Sequence, residues 1–332
     1  MTSKVTSHRA AFRYHPRFGY FFRPNLRLWQ LPQQETAPFY LISTNSVGAR
    51  CYREPEPNID DCGIKILFIG DSLAVGDNVS NRERFTDVLE QLLPGAESHN
   101  YGLSGSGHDQ QLLIHREFFP LIDPDVLVLC PAIGCIGRNL LTDRLHYDPL
   151  TGGAIRVPRP YFSLDTDGSL VSHNVPVPKP AFKTFPDPRF EAARPNWQRR
   201  IKDAIKSMIL RQEPPYLNHI YDDPQATGYR LGQALLREIL RESAAPLKVL
   251  APLPDFSYVT RPDAINHHSF FSSVAEAGGA HFVDVPRFFQ QLSEREKKQG
   301  FFPYDGHYTR SGHEVIATGL AATLRGLRDW PD

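Results

Sequence analysis

Apolar positions along this chain follow two different periods. Lys65-Ile66-Leu67-Phe68-Ile69 and Asp125-Val126-Leu127-Val128-Leu129-Cys130 are unbroken runs rich in branched residues, as in strands buried on both faces. Glu97 to Tyr101, Leu247 to Leu253 and His281 to Val285 read as further, weaker strands. Between them the spacing turns helical. Arg82 to Leu93 sets Phe85, Val88, Leu89 and Leu92 on one side, and Asp109 to Phe119 is a second helix. Gly228 to Glu242, Pro262 to Ala277 and Arg310 to Leu327 continue the alternation, the last with Ile316, Leu320, Leu324 and Leu327 on its apolar side.

Strand–helix alternation predicts right-handed crossovers and a parallel sheet covered on both faces. The expected fold is therefore α/β, with five parallel strands in one sheet. Residues 1–60, rich in prolines and aromatics and without helical period, read as short strands and turns packed on the core. Residues 61–332 read as one domain that carries an insertion at about 140–225. Seven prolines fall between Pro158 and Pro188, and Asp165-Thr166-Asp167-Gly168 is a turn between two short β-like runs. Asn196 to Arg211 has helical spacing within that insertion.

Composition narrows the function classes. The chain has 332 residues, and its 37 basic side chains balance 37 acidic ones. A nucleic-acid binder carries a basic surplus or stripe, and neither is found here. Glu294 to Lys298 and the Arg237/Arg241 pair read as solvated helix faces. Cys51, Cys62, Cys130 and Cys135 are too few and scattered for a disulfide framework and read as reduced thiols. His108, His115, His267, His268 and His281 lack metal-ligand spacing, so neither metal nor cofactor is expected. No apolar run approaches a membrane span, and the first thirty residues lack the apolar core of a signal peptide. A cytoplasmic location is the expectation. The oligomeric state is not legible.

Reactive groups of an open parallel sheet collect beyond the carboxyl ends of its strands. Ser72 follows the first strand in Gly70-Asp71-Ser72, Ser104-Gly105 follows the second, Pro131 to Gly134 the third, and Asp305-Gly306-His307 the last. A serine hydroxyl needs an imidazole to take its proton, and a carboxylate fixes the ring tautomer. Asp71 reads as a local backbone acceptor, and His313 as a structural histidine near the start of the final helix.

Gly70-Asp71-Ser72, Asn100-Tyr101-Gly102-Leu103-Ser104-Gly105, and Asp305-Gly306-His307 with Ser311-Gly312-His313 together resemble the GDSL/SGNH hydrolase superfamily. His15-Pro16, Arg23-Pro24-Asn25 and Thr44 to Arg50 resemble the lead-in of a bacterial subgroup often tied to polysaccharide or secondary-metabolite gene clusters. The resemblance implies a three-layer α/β/α sandwich and a serine esterase or acyltransferase. It makes Ser72 the nucleophile, His307 the general base and Asp305 its orienting carboxylate. The N–H groups of Ser72 and Gly105 become part of an oxyanion hole.

Two departures stand out. The last block is Asp-x-His where the commoner family spacing is Asp-x-x-His. After the third strand the family offers an asparagine, whereas this chain has Ile133 or Gly134. Loss of one such donor costs about 10²–10³ in rate. Asn139 or a backbone amide near Gly134 are the candidate replacements. The expected partner is a small or carbohydrate ester, an acetyl ester in this reading. A catalytically impaired domain that binds carbohydrate or acyl ligands is the alternative. The insertion is the candidate substrate-selecting lid.

Overall fold

The computed structural model describes residues 11–30, 38–56, 63–147, 154–179, 218–261, 266–303 and 306–331, with the backbone alone at 145–147 and 154–155. The N-terminal segment forms two antiparallel hairpins, β1 (Phe12–His15) with β2 (Gly19–Phe22) and β3 (Arg27–Gln30) with β4 (Tyr40–Ser43). The sheet follows: β5 (Ile64–Gly70), β6 (Ala96–Asn100) and β7 (Val126–Cys130). The insertion supplies β8 (Asp143–Tyr147) with β9 (Ala154–Pro158) and β10 (Tyr161–Leu164) with β11 (Leu170–His173), two further hairpins. The main sheet resumes with β12 (Leu247–Leu250) and β13 (His281–Phe282).

All pairings in the main sheet are parallel, in the order β13-β12-β7-β5-β6. The chain runs from β5 out to the β6 edge, then returns to the other side of β5 to lay down β7, β12 and β13. The strand order thus reverses between β5 and β7, which opens a crevice there beyond their carboxyl ends.

Helices cover both faces. They are α1 (Ser72–Val75), α2 (Phe85–Leu92), α3 (His108–Ile122), α4 (Thr227–Glu242), α5 (Phe256–Thr260), α6 (His267–Ala277), α7 (Pro286–Gln290), α8 (Glu294–Gln299) and α9 (Arg310–Arg325). Alternate side chains of β5 and β7 serve opposite layers. Leu67, Ile69, Leu127 and Leu129 pack with Leu112 of α3 and Leu235 of α4. Ile66, Phe68, Val126 and Val128 pack with Leu89 of α2 and Ile316 of α9. The result is the three-layer α/β/α arrangement. Phe18, Phe21, Phe22 and Tyr40 of the hairpins join the α3/α4 layer, with Phe21 stacked on Phe118 at 5.4 Å.

Several boundaries differ from the sequence reading. α2 starts at Phe85 because Asn81–Glu83 form a separate 3₁₀ turn, closed by a capping box between Ser80 and Glu83. Of the helix expected from Pro262, residues 262–265 lie outside the described residues and His267–Ala277 is helical; the short α5 precedes it. β13 keeps two residues of the five expected. The helix expected over Asn196 to Arg211 lies outside the described residues.

Candidate active site

β5 ends at Gly70 because nothing larger fits. A Cβ there would lie 2.4 Å from the Cys130 carbonyl oxygen and 2.6 Å from the Ala74 Cβ. The chain then turns into α1, whose N-cap is Asp71: its Oδ1 accepts from the Leu73 N–H at 3.0 Å. Ser72 is the first residue of that turn and is buried. The far end of the turn is tied by the N-terminal segment. Arg50, fully buried, donates from Nη1 to the Gly76 and Val75 carbonyls at 2.7 and 3.2 Å, and from Nη2 to the Val79 carbonyl. Burial, with Arg84 nearby, pulls its guanidinium pKa down to about 10, still a cation at neutral pH.

The second oxygen of Asp71 pairs with Arg138 Nη1 at 3.0 Å, and the same nitrogen donates to the Ser106 carbonyl at 3.1 Å. Arg138 sits in the 3₁₀ stretch Ile133–Leu140 that follows β7, so this pair joins the ends of β5 and β7. The 103–106 turn is held on the Gly70 carbonyl by the Leu103 N–H (3.0 Å) and the Ser106 hydroxyl (3.3 Å). Within it Gly105 has φ +77°, a left-handed conformation suited to glycine. Arg144 lies against Gly105 and donates to its carbonyl at 3.2 Å.

His307 is carried by a closed loop. The Phe302 N–H donates to the His307 carbonyl at 2.7 Å, the Gly306 N–H to the Phe302 carbonyl at 3.0 Å, and Phe301 forms a bridge with Tyr308. The buried Tyr308 hydroxyl donates to the Pro254 carbonyl at 2.5 Å, tying this loop to the segment after β12. Asp305 lies outside the described residues. His313 is fully buried, and its Nδ1 accepts from the Phe85 N–H at 3.2 Å. Burial, reinforced by Arg84 and Arg50, depresses its basicity strongly.

These elements surround a cleft of about 670 Å³. Ser72, His307, Gly134, Cys135, Arg138 and Asp255 line it, beside an aromatic wall of Phe256, Phe301 and Phe302. Burial raises the Cys135 thiol well above its ordinary pKa, so it stays protonated. The Asp255 carboxyl is pushed up to about 6, chiefly by burial, although its Oδ1 accepts from the Ser257 N–H at 2.8 Å as the N-cap of α5. Among the described residues the N–H groups of Ser72, Gly105 and Gly134 donate to no other group.

Ser72 and His307, 235 positions apart in sequence, therefore face one cavity. Gly105 and Asn139 are not among its lining residues. Gly105 is held one step behind, on the strand end that carries Ser72. Asn139, expected as a side-chain oxyanion donor, has its amide against the start of α3. It is buried, its Oδ1 accepts from the His108 N–H at 2.8 Å, and its Nδ2 lies 3.0 Å from His108 Nδ1. Its amide is spent on the first turn of α3. Much of the insertion expected as a lid, residues 148–153 and 180–217, lies outside the described residues. None of the described residues of the insertion lines the cleft, and Arg159 instead pairs with the buried Asp109 of α3 at 2.5 Å.

Arg138 and Asp255 escaped the sequence reading. Each follows a central strand at its carboxyl end, which is the position that could have marked them. No group of three or more metal-ligating side chains occurs among the described residues. No helix among them is long and apolar enough to cross a membrane.

No family model matches this chain, and no curated protein matches it. Solved structures similar to it include an acetylxylan esterase from Geobacillus stearothermophilus, at 14% identity and TM-score 0.42, covering 82% of this chain and 100% of that one. A member of the lipolytic protein G-D-S-L family from Veillonella parvula is 10% identical with TM-score 0.40, covering 80% and 100%. A lipase/acylhydrolase from Enterococcus faecalis is 13% identical with TM-score 0.41, covering 79% and 96%. These are similarities of chain course at low identity.

Proposed function

We propose that this protein is a serine-dependent, SGNH-type esterase or O-acyltransferase acting on a small acyl ester, an acetyl group on a carbohydrate or small metabolite. One observation carries the reading: Ser72 and His307 line the same cleft at the point where the sheet order reverses. The Ser72 hydroxyl attacks the ester carbonyl while the His307 imidazole takes its proton. The tetrahedral oxyanion is stabilised by N–H groups rather than by an asparagine side chain. Ser72 and Gly134 line the cleft, and Gly105 is held beside them, each with an uncommitted N–H among the described residues. Collapse returns the proton from His307 to the departing alcohol and leaves an acyl-serine. Water or a second hydroxyl then accepts the acyl group. Asp305 is the proposed orienting carboxylate of His307.

The described cysteines Cys51, Cys130 and Cys135 are unbridged, which suits the reducing cytoplasm we propose as the site of action. The test is turnover of p-nitrophenyl acetate by wild type and by Ser72→Ala. Loss of at least about a thousandfold in the variant is expected if the serine is the nucleophile. Equal rates remove Ser72 from that role and favour a ligand-binding domain without turnover.

A further inference from the structure

The cleft has a charged mouth whose charges the acyl-transfer chemistry does not use. Arg261, which follows α5, and Lys298, in the last turn of α8, both line it and are both exposed. They belong together spatially, since α5 packs against α8. Among the described residues neither forms an ion pair. The nearby acidic groups among the described residues have partners of their own. On α8, Glu294 pairs with Lys297 at 2.8 Å and Glu296 caps Ser293. Inside the cleft, Asp71 is paired with Arg138 and Asp255 caps α5. Among the described residues, two cations that form no ion pair, though Lys298 also acts electrostatically on Glu294, thus line a cleft with an aromatic wall.

From this charge arrangement we infer that the cleft takes an anionic ester, with the acyl group directed at Ser72 and a carboxylate or phosphate of the alcohol portion held between Arg261 and Lys298. The inference rests on the acyl-ester reading above and adds the substrate class to it. An arginine fork and a lysine point charge are complementary to either anion. Both side chains are exposed, so each pairing is screened by salt and contributes modestly. A neutral alcohol of the same size gains nothing from either.

The test uses Ser72→Ala, so that ligands bind without being consumed. Calorimetry compares three acetylated monosaccharides: a methyl glucoside, a methyl glucuronide and a glucose phosphate. The expected result is tighter binding of an anionic ligand than of the neutral one, by roughly tenfold at low salt, fading at 0.5 M NaCl. The stronger of the two anions identifies the group. Adding Arg261→Gln and Lys298→Gln is expected to abolish the preference while leaving neutral-ligand affinity unchanged. Equal affinities for neutral and anionic ligands overturn the inference, as does a preference that survives both substitutions. Failure of p-nitrophenyl acetate turnover speaks against the serine chemistry and leaves this binding comparison intact.

Discussion

Replacing Arg138 by methionine isolates the interaction that joins the ends of the two central strands. Asp71 is 1% exposed and its Oδ2 lies 3.0 Å from Arg138 Nη1, whose side chain is 26% exposed. Removing one partner of a fully buried pair costs about 3–5 kcal/mol, because the other charge is stranded. Arg138 reaches solvent with about a quarter of its side chain, which moves the expectation to the lower end, about 3 kcal/mol, including the lost bond to the Ser106 carbonyl. Asp71→Asn keeps an oxygen for the Leu73 N–H and leaves a partly solvated guanidinium, so it is expected to cost about 1 kcal/mol. The double variant strands no charge. It is expected to lose at least about 1.5 kcal/mol less than the sum of the single variants. Equilibrium urea unfolding followed by tryptophan fluorescence measures all four proteins. Additivity within about 0.5 kcal/mol refutes the argument, since the two groups would then not sense each other.

Two further outcomes follow from the site. Asn139→Ala is expected to lower stability by about 1–2 kcal/mol through the lost cap on α3, while p-nitrophenyl acetate turnover stays within about threefold of wild type; a fall of about 10²–10³ instead identifies the amide as an oxyanion donor. For Asp255 the folded carboxyl titrates near 6 against an ordinary 3.8, so the unfolded state gives up its proton first and wild-type stability falls as pH rises across that window. Asp255→Asn retains an oxygen for the Ser257 N–H, and is expected to be near neutral below pH 4 and stabilising by up to about 3 kcal/mol at pH 7.5. Urea unfolding at the two pH values checks this, and an equal effect at both contradicts it.

The central sheet was legible because its strands are buried on both faces. Val126 to Cys130 has no exposed position, so the run is apolar throughout and cannot be confused with a surface helix. β13 was overestimated because His281 to Val285 has the composition of a strand but pairs with β12 through only two residues. The helix expected from Pro262 is described as His267–Ala277, residues 262–265 lying outside the described residues, and a five-residue helix capped by Asp255 precedes it. Such short elements are made by capping and tertiary contact, with too few residues to show a period.

In the site, Ser72 follows β5 directly, as the sequence suggests, whereas the His307 loop follows α8 rather than the last strand; both residues line one cleft. Arg138 could not be read from the sequence, because its importance comes from reaching Asp71 across 67 positions of sequence. Asn139 has the right chemistry for a donor and sits beside the right loop. Only the position of the α3 N-terminus reveals that its amide is already engaged. The same holds for Arg50, an isolated basic residue in sequence that turns out to close the carbonyl end of the turn that carries Ser72.

The most direct measurement of the central claim is labelling by a fluorophosphonate, read by peptide mass spectrometry on wild type and on His307→Ala. A single adduct on Ser72 in wild type, formed at least about a hundredfold more slowly without the imidazole, is the outcome this account requires. An unmodified Ser72, or labelling at the same rate in both proteins, contradicts it.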